Sequence, residues 1–202
     1  MSYSIRAPEE ADISSVIRLF RSYINNSFFA RLGDQFLGLL FQGLIRSDRG
    51  ICFVAEDNHK IVGFIFAASD CPAFCKELIF KNIRPILFIT LSSIFGKEAL
   101  LKELWQSLLH LVRGIGDPVK AELLFIAIEP DKRRQGIAAE FIGRVLSEMK
   151  LRKVEKVKVT TDHANNSVNN LLKKMNFCFI GTYLLYGKRM CLYNHKILAL
   201  RQ

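Results

Sequence analysis

In the stretch IEPDKRRQGIAAEF, residues 128 to 141, an apolar run ends at Pro130, four charged residues follow, and Arg133, Arg134, Gln135 and Gly136 lead into Ile137, Ala138 and Ala139. These residue types in this order suit an anion. Gly136 has no Cβ, so backbone N–H groups near it can approach a phosphate closely, and a helix starting there aims its unsatisfied donors and positive dipole end at the same point. The arginines and the glutamine add donors, while the alanines keep the first turn narrow. The spacing is neither the Gly-x-x-x-x-Gly-Lys-Ser/Thr of a P-loop nor the Gly-x-Gly-x-x-Gly of a Rossmann turn. A solvated charged loop is the competing reading.

Metal chemistry has less support. No second pair at ligand spacing completes a site with Cys71 and Cys75, and His59, His110, His163 and His195 are scattered, so no metal is expected. An odd number of cysteines, mostly within apolar runs, and an opening MSYSIRAPEE without an apolar stretch read as a reduced, cytoplasmic protein.

The elements that would hold this loop follow from periodicity. With 202 residues, half of them hydrophobic, the chain can fill one core, so a single domain over 1–202 is expected. YSIR reads as a short strand and APEEADISSVIRLFRSYI as an amphipathic helix with Glu9, Glu10 and Asp12 in its first turn, where the helix dipole favours them. GDQFLGLLFQGLI reads as a second helix, and GICFVAEDNHKIVGFIFAAS as a hairpin around Asp57-Asn58-His59. From Cys71 to Pro118 the spacing is helical. Its apolar run at 83–95 is too short for a bilayer and is broken by Arg84 and Pro85, so no transmembrane segment is expected; a lid, a homodimer surface or an interfacial helix remain open. AELLFIAIEP is then a strand and residues 135–150 a helix burying Phe141, Ile142, Val145, Leu146 and Met149. VEKVKVTTD, NNSVNNLLKKM and FCFIGTYLLYGKRMCLYNHKI follow as strand, helix and a closing strand pair. The pattern is mixed α/β.

Charge sharpens the question of a ligand. The net charge of +10 is uneven: residues 1–120 hold 14 Lys/Arg against 12 Asp/Glu, and 121–202 hold 15 against 7. A basic C-terminal part could face nucleic acid, an anionic membrane, a small polyphosphate or solvent alone. No recognition helix, zinc finger or aromatic stacking motif accompanies it, so nucleic acid is not the expected partner.

Arg133, Gly136 and Ala138 resemble the pyrophosphate motif Gln/Arg-x-x-Gly-x-Gly/Ala of the GNAT superfamily of N-acetyltransferases. The preceding IAIEP is similar to that family's Val-x-Pro strand end. NNSVNNLLKKMNF is similar to its Asn-x(5)-Leu-Tyr-x-x-x-Gly-Phe segment through Asn165, Leu171, Leu172, Asn176 and Phe177, and the element order agrees across nearly the whole chain. The resemblance implies an α/β (α+β) fold: a central mixed, mostly antiparallel sheet of about six to seven strands flanked by helices, with a helical insertion at about 71–120. It also implies a transferase that moves an acetyl group from acetyl-CoA to a primary amine. The cofactor would sit in a V-shaped gap between the LLFIAI and VKVTT strands, with backbone of Phe125, Ile126, Ala127 and Ile128 along the pantetheine arm. Residues Arg133 to Ala139 would take the diphosphate, Asn165 the other side, and Lys173 or Lys174 the 3′-phosphate or merely solvent.

The chain departs from that pattern where the reaction needs a proton. The family's tyrosine, which protonates the leaving thiolate, is Leu172 here, and Thr160 stands where the ribosomal-protein acetyltransferases place a glutamate. Tyr183 and Tyr186 are then candidate acids and His163 or Glu122 candidate bases; catalysis by positioning alone, or a catalytically silent acyl-CoA-binding or partner-binding module, are the alternatives. An amino sugar, an aminoacyl group or a protein or peptide amine fits the basic C-terminal part better than a polyamine does.

Overall fold

The computed structural model describes residues 3–25, 27–85, 118–185 and 187–197. They form β1 (Tyr3–Arg6), α1 (Ile13–Tyr23), α2 (Phe28–Arg31), α3 (Asp34–Arg46), β2 (Gly50–Asp57), β3 (Lys60–Ala68), α4 (Cys71–Lys81), β4 (Ala121–Ile128), α5 (Ile137–Leu151), β5 (Lys156–Asp162), α6 (Asn166–Lys174), β6 (Cys178–Leu185) and β7 (Lys188–Lys196). One sheet runs β1-β2-β3-β4-β5-β7-β6, and β4 with β5 is its parallel pair among antiparallel neighbours. This is the expected mixed, mostly antiparallel α/β sheet with helices on both faces.

β3 reads KIVGFIFAA and is buried from Ile61 onward because helices cover both of its faces. On one face α5 and α6 contribute Phe141, Val145, Met149 and Leu172. On the other, α1, α3 and α4 close over Phe64 and Phe66 with Phe20, Phe41 and Phe74. The hairpin β2–β3 turns through Asn58 (φ 48°) and His59 (φ 61°), the two positive angles of a turn matching strand twist.

The acidic N-terminal residues do not open α1 as the sequence suggested. Glu10–Asp12 form a 3-10 turn, and Asp12 turns inward to take two hydrogen bonds from the Arg6 guanidinium (2.7 and 2.9 Å) and one from the Glu9 N–H (2.8 Å). Three donors outbid the helix dipole. α2, whose Ser27 side chain caps the Ala30 N–H at 3.1 Å, is too short for periodicity to reveal. Of the helical insertion, residues 71–81 form α4, capped by Asp70; residues 86–117 lie outside the described residues. Among the described residues, no helix is long and apolar enough to cross a membrane.

The Arg6 hydrogen bonds hold the Asp12 carboxyl below its ordinary pKa, against the opposing effect of burial. A depressed carboxylate contributes stability above its unfolded value, about 3.9, and loses it as pH falls through the lower folded value. Asp12→Asn should therefore lower stability at pH 7 and narrow the difference between pH 7 and pH 3 in urea titrations. An unchanged difference would show that other carboxylates govern the acid limb.

Candidate functional site

β4 and β5 pair only from Ala121↔Val157 to Leu123↔Val159. Beyond that point they part, for two reasons. Leu124 is an extra residue between Leu123 and Phe125, whose β3 partners Ala67 and Phe66 are adjacent, and such a bulge bends the strand. Thr160, Thr161 and Asp162 meanwhile stay paired with β7. The split opens a cleft of about 800 Å3, walled by Tyr23, Phe28 and Phe29 from the α1–α2 segment, by Leu124 to Ile126, and by Thr160, Asp162 and Asn165.

Strand alternation decides which β4 groups face that cleft. The Glu129 N–H donates to the Val62 carbonyl (2.8 Å), so Glu129, Ala127 and Phe125 turn their backbone toward β3. Ile126 and Ile128 turn theirs toward β5. Of the four residues expected along the pantetheine arm, only these two present backbone to the gap, and the Ile128 carbonyl already accepts from Arg133 Nε at 3.0 Å.

Just after β4, Glu129 is buried and receives hydrogen bonds from Arg18 (2.9 Å) and Lys60 (3.1 Å), which together outweigh burial and keep its pKa low. Lys132 is drawn to Asp57 at 2.5 Å. These pairs stake the base of the following loop. Arg134 (φ 61°) and Gly136 (φ 88°) then turn left-handed, and the first bond of α5 runs from the Glu140 N–H to the Gly136 carbonyl at 3.0 Å. The N–H groups of Ile137, Ala138 and Ala139 are consequently left without an intrahelical acceptor. Open space surrounds the position a Gly136 Cβ would take, with nothing within 4 Å. Loop, donors and space together fit a diphosphate.

Within the motif both arginines are exposed, but they differ in their contacts. Arg133 donates to the Ile128 carbonyl and lies 5.1 Å from the centroid of the Tyr23 ring, whereas Arg134 makes no ion pair among the described residues. Gln135 donates to the Asp131 carbonyl at 3.0 Å. Asn165 lines the opposite wall, its side-chain oxygen capping α6 through the Val168 N–H (3.2 Å), and Lys173 is exposed in the last turn of α6.

The proton-transfer candidates scatter. Glu122 lies before the split, 3.8 Å from the buried Lys158, and does not line the cleft. His163 is exposed just past β5 and does not line it either. Tyr186 lies outside the described residues. Tyr183, reaching diagonally across β7, donates its hydroxyl to Thr160 Oγ1 at 3.0 Å, and Thr160 stands directly after the last β4–β5 pair. Leu172, in α6, is 1% exposed and packs in the core while also lining the cleft, so the position of the family's tyrosine reaches the cleft wall without a hydroxyl. The sequence reading passed over Asp162, although period-2 alternation from Thr160 would have placed it on the same face.

Residues 17–177 match the Acetyltransferase (GNAT) family. The chain belongs to this family. GNAT membership makes it an acyl-CoA-dependent N-acetyltransferase, in a family that generally uses acetyl-CoA and amine substrates. Solved structures share its fold. An N-acetyltransferase from Staphylococcus aureus Mu50 is 17% identical, covering 98% of this chain and 100% of its own with a TM-score of 0.64. Ard1 from Thermoplasma volcanium is 15% identical, covering 98% and 99%, at 0.63. The ribosomal-protein-S18-alanine N-acetyltransferase from Escherichia coli is 13% identical, covering 99% and 96%, at 0.59. Comparison with curated protein sequences gives no match.

Proposed function

We propose that this GNAT chain binds acetyl-CoA in the β4–β5 cleft and transfers its acetyl group to a primary amine of an amino sugar, aminoacyl group or peptide. The observation that carries the reading is the strand split that leads to the open N-terminus of α5 at Gly136. Acetyl-CoA supplies a thioester open to attack by an amine. Ile126 offers strand-edge backbone to an extended amide-bearing arm. The N–H groups of Ile137, Ala138 and Ala139, with Arg134, take the diphosphate; Asn165 contributes from the far wall and Lys173 is placed for a further phosphate.

Thr160 takes the place of the missing tyrosine. Because Tyr183 donates to Thr160 Oγ1, the Thr160 hydroxyl can pass its proton to the leaving thiolate as it takes the Tyr183 proton, and the ammonium of the attacking amine releases a proton that restores Tyr183 through solvent. Thr160→Val should lower kcat by about 100-fold with little change in acetyl-CoA affinity, and Tyr183→Phe by less. Full turnover in Thr160→Val would remove this relay.

Calorimetry with acetyl-CoA, followed by thiol release across an amine panel, tests the whole reading. Micromolar binding with turnover supports it; binding without thiol release from any amine supports the silent acyl-CoA-binding alternative; absence of binding overturns both.

A further inference from the structure

Asp162 is the one carboxylate among the described residues that line the cleft. It ends β5 on the face that carries Thr160. Its Oδ1 accepts from the Ala164 N–H at 2.9 Å, and its carbonyl takes the Asn165 N–H (2.9 Å) and Asn169 Nδ2 (3.1 Å), which fixes the residue. Its second carboxylate oxygen makes no hydrogen bond among the described residues. Ile24, Phe28, Phe29, Leu124, Leu185 and Met190 give the same space a large apolar wall, and Asn25, Ser27, Thr160, Thr161 and Asn165 are its neutral polar groups. Phe29 is braced by Phe125, its ring edge-on at 5.5 Å, and by Phe36, stacked at 6.2 Å.

This lining selects by chemistry. A single carboxylate beside a large apolar wall suits one ammonium on an apolar body. An amino sugar would lay hydroxyls against phenylalanine, leucine and methionine as well as against the few neutral polar groups, and those left unpaired are costly. A polyamine would bring further positive charges that the single carboxylate of this lining cannot match.

We propose that the acceptor is a primary amine borne on a large apolar group, its ammonium held by Asp162 as it arrives and its body packed on Phe28, Phe29, Leu124 and Met190. This rests on the acetyltransferase reading above. An aminoacyl or peptide amine with a bulky apolar first residue and a small arylalkylamine share this chemistry, and both belong in the test.

The test measures thiol release from acetyl-CoA with phenethylamine, a Phe-initiated tetrapeptide, glucosamine and spermidine. The native protein, Asp162→Asn and Phe29→Ala are compared, with acetyl-CoA affinity measured on each. Asn keeps the cap on Ala164 and removes the charge. The native protein should favour an apolar amine over glucosamine and spermidine by about tenfold or more in kcat/KM. Asp162→Asn should lower kcat/KM for the apolar amines by about tenfold or more while acetyl-CoA affinity holds. Phe29→Ala should narrow the apolar-to-sugar ratio, which does not depend on how much of the variant is folded. Preference for the peptide over phenethylamine would assign a peptide or aminoacyl acceptor, and the reverse a small amine. Turnover of glucosamine or spermidine as good as that of the apolar amines, or undiminished turnover in Asp162→Asn, overturns the acceptor proposal and leaves the acetyl-CoA reading standing. Failure of the native protein to bind acetyl-CoA overturns that reading and this proposal with it.

Discussion

Replacing Gly136 with valine is expected to abolish acetyl-CoA binding while leaving the fold intact. Gly136 has φ 88°, a region that β-branched residues strongly resist, so part of the cost is backbone strain of about 1–2 kcal/mol. The larger effect is on the ligand. A Cβ at position 136 would have no non-neighbouring protein atom within 4 Å, so a valine side chain would enter open space at the helix end that carries the Ile137, Ala138 and Ala139 N–H groups. An anion kept from those donors loses contacts each worth about 1.5–3 kcal/mol, so a loss of affinity of about 100-fold or more should appear in calorimetry. Arg134→Ala, which removes one exposed charge and leaves the backbone cradle, should be milder. A native dissociation constant in Gly136→Val, with circular dichroism unchanged, would mean that acetyl-CoA does not use this helix end.

Phe41→Ala should be the most destabilising substitution among these. Phe41 is fully buried, and its ring stands 5.1 Å from Phe66, 5.5 Å from Phe20, 6.1 Å from Phe64 and 6.3 Å from Phe125. Truncation removes an aromatic side chain from a rigid cluster that can collapse only partly, at a cost of about 3–5 kcal/mol, a large share of the about 5–15 kcal/mol that stabilises a typical domain. The consequence reaches the cleft, because Phe125 packs on Phe41 and also lines the site. Urea denaturation should show the loss, with Phe41→Leu recovering much of it. A loss below about 1 kcal/mol would mean that the cluster repacks without Phe41.

The outcome of the sequence reading differs from residue to residue for physical reasons. The β2–β3 hairpin was legible because two residues with positive φ between apolar strands leave a local mark. The start of α1 falls at Ile13, after the acidic residues read as its first turn, because a preference for acidic residues near a helix N-terminus is small, and a bidentate arginine hydrogen-bonded at 2.7 and 2.9 Å overrides it. Arg133 and Arg134 are chemically identical, exposed neighbours, so only the positions of Tyr23 and of the Ile128 carbonyl distinguish the tethered arginine from the untethered one.

By itself the sequence determined the glycine turn into a helix at Gly136, the elements on either side of it, and the likeness to the GNAT family. These depend on local demands: a left-handed glycine, a helix start, period-2 and period-3.6 burial. The tertiary structure decided how far β4 and β5 remain paired, which backbone edges face the gap, and that Tyr183 meets Thr160 across 23 positions of chain. Those contacts follow from the strand order β5-β7-β6 and from one bulge at Leu124, arrangements set by the packing of whole elements and carried by no short stretch of residues.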